Sequence, residues 1–388
     1  MILVIYIKHA EQMEKNGIIL LIFHKPLSQI DGQVKYISQL IQALSKKYEV
    51  IEPSEGFFRI TARFDSGWLV RTFFVNLYLI LWVILHLNFI RNKTKLAIME
   101  DRYVIIPSLL IKSLGVNLIS SVSDWGEDYS KSLDLGEGIM RKMFLKYSEF
   151  YEIFVKKLSR SVIVRSENVR DIIMKECDRP IAIFPHCVDF KSLKSQPDCN
   201  LDFTDNIHDI YCVLVGNFSY LANLEMAQFI INNVSGKVME KDRRIKFVIV
   251  GKDSDLQFGH INIENIAVLG IVQDLECVYN KCQIGLNATN VPGGTSAKNI
   301  EYLVNGLYVV GTPESSIGVI ESKNIIISNR QDFIQTILNV ADLIRSKGTK
   351  NLESEVEKIR EYYSLERNAE KIVEFILHTS NENYKNGL

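Results

Sequence analysis

The feature that most constrains this chain is a recurring short run of uninterrupted apolar residues, closed by a loop and followed by a stretch with helical spacing. Ile18-Ile-Leu-Leu-Ile-Phe23, Ile210-Tyr-Cys-Val-Leu-Val-Gly216 and Lys246-Phe-Val-Ile-Val-Gly-Lys252 have this form, and Val116 to Val122 reads as a further strand with polar residues inside it. A strand with one wet face alternates apolar and polar residues, whereas an unbroken run reads as a strand buried on both faces of a parallel sheet. Val34 to Leu44, Ile105 to Leu114 and Asn223 to Ile231 carry the helical periodicity that crossovers between parallel strands require. Repetition across both halves predicts an α/β chain of two doubly wound parallel sheets facing a cleft.

A chain of 388 residues is long enough for two sizeable cores. The expected division is a first domain over 1–190, a polar linker over 191–209 containing Pro197, a second domain over 210–365, and a final segment over 366–388 with helical spacing at its start. A formal net charge of -1 argues against a broad nucleic-acid field, so no nucleic-acid partner is expected. The six cysteines contain no C-x-x-C pair, which points to neither a zinc site nor a disulfide framework and fits a reducing cytoplasm. Met1 to Ile7 is apolar but is broken off by Lys8, His9 and Glu11, unlike a signal peptide.

The most informative stretch for function is Val291-Pro-Gly-Gly-Thr-Ser-Ala-Lys-Asn-Ile-Glu301, with Gly306 and Val310-Gly-Thr-Pro313 beyond it. It reads as a strand exit, a glycine loop, a helix opening at Thr295, a stop at Gly306 and a new strand over Tyr308 to Val310. Gly293 and Gly294 permit close backbone approach to a ligand, and the unpartnered amides of a helix start attract anions. Lys298 and Glu301, three positions apart, share one helix face, where lysine suits phosphate and carboxylate suits sugar hydroxyls. An ordinary strand-to-helix turn with a solvated Lys and Glu is the competing reading.

This block resembles the donor-binding segment of family 4 glycosyltransferases, which have the GT-B fold. The resemblance is good over about Tyr211 to Pro313 and loose over nearly all the chain. It implies that the loop receives the diphosphate and sugar of a nucleotide-sugar, that Glu301 holds the ribose, and that the last helix crosses back to the first domain. Many members carry two glutamates with seven residues between them; the position of the first is Gly293 here, which bears on how the donor sugar is held. In relatives, glycine near the donor and acceptor in the first loop corresponds to Gly32, the loop after the first strand of the second domain corresponds to Asn217, and a basic residue meeting the diphosphate corresponds to Lys252. A His-Asp pair often closes the strand that here ends Ser123-Asp124; Asp124 is the candidate catalytic residue, with a helix cap as the alternative. Pro185-His-Cys-Val-Asp189 partly resembles the Pro-Asn-Gly-Val-Asp that closes the first domain in many members.

The resemblance implies transfer of a hexose or related sugar to a hydroxyl acceptor with retention of configuration, without cofactor or metal. A nucleotide-sugar epimerase of the same fold and a non-catalytic binding subunit are the rival functions. Asp253-Ser-Asp255 matches the metal-binding triplet of the other large glycosyltransferase fold, but its place after a strand in a repeated α/β pattern reads as a solvated loop. No G-x-G-x-x-G opens a helix after a strand, which weakens a dinucleotide oxidoreductase.

Two segments bear on location. Thr72 to Ile90 is nearly long enough to cross a bilayer as one helix, but Asn76, His86 and Asn88 interrupt it, so a buried helix with one face near a membrane is expected. Between Asp128 and Lys157, bases such as Arg141, Lys142 and Lys146 are interleaved with aromatics, a surface suited to lipid headgroups, to a phosphorylated acceptor or to plain solvation. These features suggest a cytoplasmic protein held peripherally at the inner membrane face, with a lipid-linked oligosaccharide or surface glycan as acceptor.

Overall fold

A computed structural model describes residues 16–23, 32–53, 68–125, 138–190, 209–291, 295–348 and 353–380. Gly293, Gly294, nearly all of the expected linker and the last residues of the final segment lie outside the described residues.

The apolar runs form two six-stranded sheets in which every pair is parallel. The first contains β1 (Ile18–Ile22), β2 (Glu49–Ile51), β3 (Thr94–Glu100), β4 (Asn117–Val122), β5 (Ser161–Val164) and β6 (Ile181–Ile183), ordered β2-β1-β3-β4-β5-β6. The second contains β7 (Ile210–Val215), β8 (Ile245–Val250), β9 (Ile266–Gly270), β10 (Ile284–Asn287), β11 (Tyr308–Gly311) and β12 (Ile325–Ile327), ordered β12-β11-β10-β7-β8-β9.

Helices cover both faces of each sheet. Those of the first half are α1 (Gly32–Ser45), α2 (Trp68–Leu85), α3 (Leu87–Lys93), α4 (Ile105–Ser113), α5 (Ile139–Leu158) and α6 (Glu167–Met174). Those of the second are α7 (Leu221–Phe229), α8 (Gly236–Lys241), α9 (Ser254–Phe258), α10 (Leu275–Lys281), α11 (Ala297–Val304), α12 (Phe333–Lys347), α13 (Glu353–Tyr362) and α14 (Leu365–Ser380). A single π-helical turn, Ile230–Ser235, joins α7 to α8.

In the first sheet, α1 buries Ile37, Leu40 and Leu44 against Ile19, Leu21 and Ile98. The same cluster takes Ala369, Ile372 and Ile376 from α14, so the last helix is cored into the first sheet's layer. Burying each such isoleucine is worth roughly 1.5–3 kcal/mol. The chain is held at this crossing by Val188, whose N–H donates to Tyr363 O at 2.8 Å and whose carbonyl accepts from Leu365 N at 3.0 Å. On the opposite face α2, α4, α5 and α6 share one cluster with Leu20, Met99, Leu118 and Val162.

Three local expectations change. Thr72 to Ile90 is not one helix: α2 and α3 meet at a bend of 72°. His86 leaves helical geometry there, with φ -113 and ψ 18, and its ring stacks on Trp82 at 4.3 Å. The bend lets the chain turn straight into β3. The Asp253-Ser-Asp255 loop is instead the start of α9, with Asp253 in the left-handed region just before it. Cys277 is disulfide-bonded, a pairing the cysteine spacing did not suggest, while Cys177, Cys187, Cys212 and Cys282 are free and buried.

Candidate functional site in the cleft

In an open parallel sheet, ligands sit beyond the carboxyl ends of the strands, where the strand order reverses and neighbouring connections depart to opposite faces. The second sheet reverses between β7 and β10, and the first between β1 and β3. The loops leaving these four strands lead to Asn217, to Thr295 and α11, to α1, and to Glu100-Asp101-Arg102.

The two halves meet there. A Cβ built on Gly32, at the start of α1, would lie 3.9 Å from Cβ of Ala297, the first residue of α11. One turn along, Lys35 Nζ donates to Glu301 Oε1 at 2.5 Å, and Tyr279 Oη donates to Glu301 Oε2 at 2.8 Å. Glu301 is therefore held from both halves. Thr295 packs at a second meeting point, where a Cβ on Gly318 would come 2.6 Å from Thr295 Oγ1 and 3.1 Å from Ser166 Oγ. Thr295 Oγ1 is buried without a hydrogen-bond partner, an arrangement that costs free energy unless a ligand or water completes it.

The helix begins at Ala297, with Ser296 as its cap, two residues later than the expected opening at Thr295. Asn287, the last residue of β10, donates to Ser296 Oγ at 2.9 Å and to Asn299 Oδ1 at 2.8 Å, tying the helix start to the strand end. At the other end, Gly306 at φ +80 closes the helix, with Gly306 N bonded to Leu303 O and Leu307 N to Tyr302 O.

Lys298 turns inward from this helix and donates to Asn223 Oδ1 at 2.8 Å. The residue keeps some accessible surface, but its ammonium lies deep in the protein, and burial lowers its pKa to about 8 despite the opposing pull of Glu301. Asn223 also donates from Nδ2 to Asn217 O at 2.9 Å. Asn217 turns its own Oδ1 back to Ser219, accepting from Ser219 N at 3.1 Å and Ser219 Oγ at 2.7 Å. Beside it, Gly251 at φ +131 packs backbone to backbone: an added Cβ would lie 2.1 Å from Gly216 O. Phe218 N then donates to Lys252 O at 2.9 Å, so the loops carrying Asn217 and exposed Lys252 are joined.

The carboxyl ends of β3, β4 and β5 add a buried charged cluster that the sequence reading passed over. Arg165 donates to Glu100 Oε1 at 2.5 Å and lies 4.2 Å over the Tyr36 ring. Arg102, 2% exposed, bonds Ser148 Oγ and the Asp124 carbonyl and lies between the Phe144 and Tyr151 rings. Asp101 holds φ 65 and ψ 175, a region nearly reserved for glycine, at a cost of roughly 1–3 kcal/mol. Ser123 Oγ lies 3.2 Å from Asp101 Oδ2 and 3.1 Å from Asp124 Oδ2 and shares its proton between them.

Three carboxylates, Glu100, Asp101 and Asp124, here face two guanidiniums, Arg102 and Arg165. Burial first, then the neighbouring acid, raises the Asp124 pKa above the usual carboxylate range, against the pull of both arginines. Glu100 is raised chiefly by burial. His186, from the Pro185-His-Cys segment, packs edge-on to Tyr36 with ring centroids 5.4 Å apart. Burial, then Arg165 and Lys35, depress its pKa well below the usual imidazole value and keep the ring neutral.

Gly32, Asn217, Lys252, Thr295, Lys298 and Glu301 thus form one linked array. Asp124 belongs to the facing charged cluster, which Lys35 and His186 connect electrostatically to Glu301's side of the cleft. Lys35 and Tyr279 were missed because nothing in sequence links them to Glu301. Glu100-Asp101-Arg102 had a readable signal, three charges at the end of an apolar strand. Asp255 sits instead beside Gly270, the last residue of β9. Among the described residues no group of three or more His, Cys, Asp and Glu is arranged to hold a metal ion. A hollow lined by Gln283, Asn305, Glu357 and Arg360 shares only Tyr279 with the cleft.

Residues 209–343 match the family model described as glycosyl transferases group 1. None of the curated proteins matches the chain. Among solved structures, a glycosyltransferase from Rickettsia africae ESF-5 superposes with a TM-score of 0.64 at 13% identity, covering 96% of this chain and 100% of that one. Anabaena HepE in complex with UDP and glucose gives 0.64 at 10% identity over 93% and 100% of the two chains. The Escherichia coli trehalose-6-phosphate protein bound with UDP-2-fluoro glucose gives 0.61 at 10% identity over 94% and 99% of the two chains. The two sheets and their helices therefore have the GT-B architecture.

Proposed function

We propose, from a second domain of the group 1 glycosyltransferase type, that this chain transfers a sugar from a nucleotide-sugar to a hydroxyl acceptor in the manner of family 4 enzymes. The observation that carries this reading is Glu301, a carboxylate at the meeting of the two halves whose partners are a lysine from one half and a tyrosine from the other. Ribose hydroxyls replace Lys35 on Glu301. The diphosphate lies between the opening of α11 and the Asn217 and Lys252 loops, with Thr295 Oγ1 and Lys298 Nζ as its donors. The complexes of HepE with UDP and glucose support a nucleotide-sugar as the ligand class.

Catalysis under this reading is electrostatic. The lysines and helix amides take up charge that develops on the departing diphosphate, without a metal, and the cleft limits water at the reacting carbon. Asp124, with its raised pKa, faces the sugar from the other half and accepts hydrogen bonds from it as configuration is retained. The acceptor is a lipid-linked oligosaccharide or surface glycan, handled in the cytoplasm at the inner membrane face.

A thermal-shift panel of nucleotide-sugars tests the proposal, because a donor at a hundred times its Kd raises stability by about 2.7 kcal/mol. The matching donor shifts the wild type, Glu301→Ala loses that shift while keeping its own melting point, and Asp253→Ala keeps it. An unchanged shift in Glu301→Ala refutes the assignment. Product formed from donor alone, as an isomerised nucleotide-sugar, refutes transfer in favour of epimerisation.

A further inference from the structure

The helical layer formed by α2, α4 and α5 is apolar on both sides. Inward, Val75, Leu79 and Val83 of α2 pack with Leu20 and Met99 of the sheet, and Asn76 is satisfied by the carbonyls of Thr72 and Tyr103. Outward, the same helix shows Phe73, Leu77, Leu81, Ile84 and Leu85, with Leu85 80% exposed. Positions 73, 77, 81 and 84 fall at helical spacing, so this is a continuous stripe. α4 lies beside α2 and contributes Ile106, 50% exposed. Beyond it α5 turns Ile139, Met143, Phe150 and Ile153 to the outside.

An apolar surface of this breadth is uncommon on a protein whose surface meets only water. Charge distinguishes the occupant. α5 carries five bases, Arg141, Lys142, Lys146, Lys156 and Lys157, against two acids, Glu149 and Glu152. Lys142, Lys146 and Lys157 share the exposed side with the apolar stripe. Arg91 and Lys93 stand exposed at the end of α3. A basic fringe around exposed apolar side chains fits anionic headgroups over acyl chains.

The α2–α3 pair is tied into the fold in a way that a membrane-spanning helix is not. Among the described residues no single helix is long and apolar enough to cross a membrane, and the α2–α3 pair is bent by 72°. Its inner face is committed to the sheet core, and Thr94, directly after α3, enters β3. We infer that the outward faces of α2, α4 and α5 dock on an anionic lipid surface. The observation does not depend on the donor site, though it specifies where the proposed lipid-linked acceptor would meet the protein.

Co-sedimentation of the full chain with phosphatidylglycerol-containing and with neutral phosphatidylcholine vesicles tests this. The wild type partitions onto the anionic vesicles, less so at high salt. Lys142→Ala with Lys146→Ala lowers the partition coefficient about 30-fold, as expected for about one kcal/mol per basic residue. Leu81→Gln with Ile84→Gln lowers it at least about tenfold. These side chains are exposed, so both variants keep the wild-type melting point and donor-induced shift, which separates this surface from the nucleotide-sugar reading. Absence of wild-type binding, or binding unaffected by both pairs, overturns the inference. So does self-association in light scattering that the α2 pair abolishes, since a second copy of the chain would then cover the face.

Discussion

Raising the pH from about 7 to about 9 should weaken donor binding through one residue, Lys298. In the free protein its pKa is about 8, because its ammonium is buried against a neutral partner, Asn223 Oδ1, and Glu301 restores only part of the charged form's stability. A diphosphate at this ammonium brings the negative charge that the buried site lacks and returns the pKa towards the ordinary 10.5. Binding then includes proton uptake. For a shift from about 8 to about 10.5, affinity falls about tenfold between the two pH values and by less than a factor of two below pH 7. Tyr279 and His186 add nothing in this window: burial and Glu301 hold the Tyr279 hydroxyl well above its usual value, and His186 is already neutral.

Isothermal titration calorimetry across this range, in two buffers of different ionisation enthalpy, reads both the affinity and the proton taken up. Lys298→Arg, charged throughout, should bind with little pH dependence. Lys298→Met should bind weakly and equally at both ends. Flat wild-type affinity, or a wild-type slope persisting in Lys298→Arg, refutes the reasoning. Stability gives an independent check of sign. Folding lowers this pKa, so the unfolded chain holds the proton more tightly between about pH 8 and 10.5, and folded stability rises with pH across that window. Free Lys298→Met should melt above the wild type at pH 7, by a margin that shrinks through the same window.

Two further perturbations probe the scaffold. Arg165→Met leaves Glu100 buried without its ion-pair partner and should cost about 3–5 kcal/mol in a denaturant melt, with Glu100→Gln in the same chain recovering part of the loss. Gly251→Ala places a Cβ against Gly216 O at a backbone angle that side chains rarely adopt, so it should destabilise by about 1–3 kcal/mol and weaken donor binding by moving the Asn217 and Lys252 loops. A Gly251→Ala chain with wild-type affinity would show that these loops do not form the donor site.

The sheets were legible because parallel strands are buried on both sides, so Ile210–Val215 and Ile245–Val250 appear in sequence as unbroken apolar runs. β2 was not legible: Glu49-Val-Ile51 is a three-residue edge strand, too short to carry a period. The bend at His86 was hidden for another reason, since apolar residues continue on both sides of it and only the demand of β3 for a turn decides the geometry. In the candidate site, the placing of Lys298 and Glu301 on one helix was readable from their three-residue spacing after a glycine loop. Their partners were not, because Asn223 and Lys35 are joined to them only by folding, Lys35 across 266 positions of chain. Glu100-Asp101-Arg102 shows in sequence as three charges closing an apolar strand, but their burial does not: Glu100 is 0% exposed because three strand ends converge on it.

The most direct test is a structure of the protein with its nucleotide-sugar bound. The diphosphate should lie within hydrogen-bond distance of Lys298 Nζ and the first amides of α11, with ribose hydroxyls on Glu301 and Lys35 displaced from it. A nucleotide bound elsewhere, with the Lys35–Glu301 pair intact, would contradict the account.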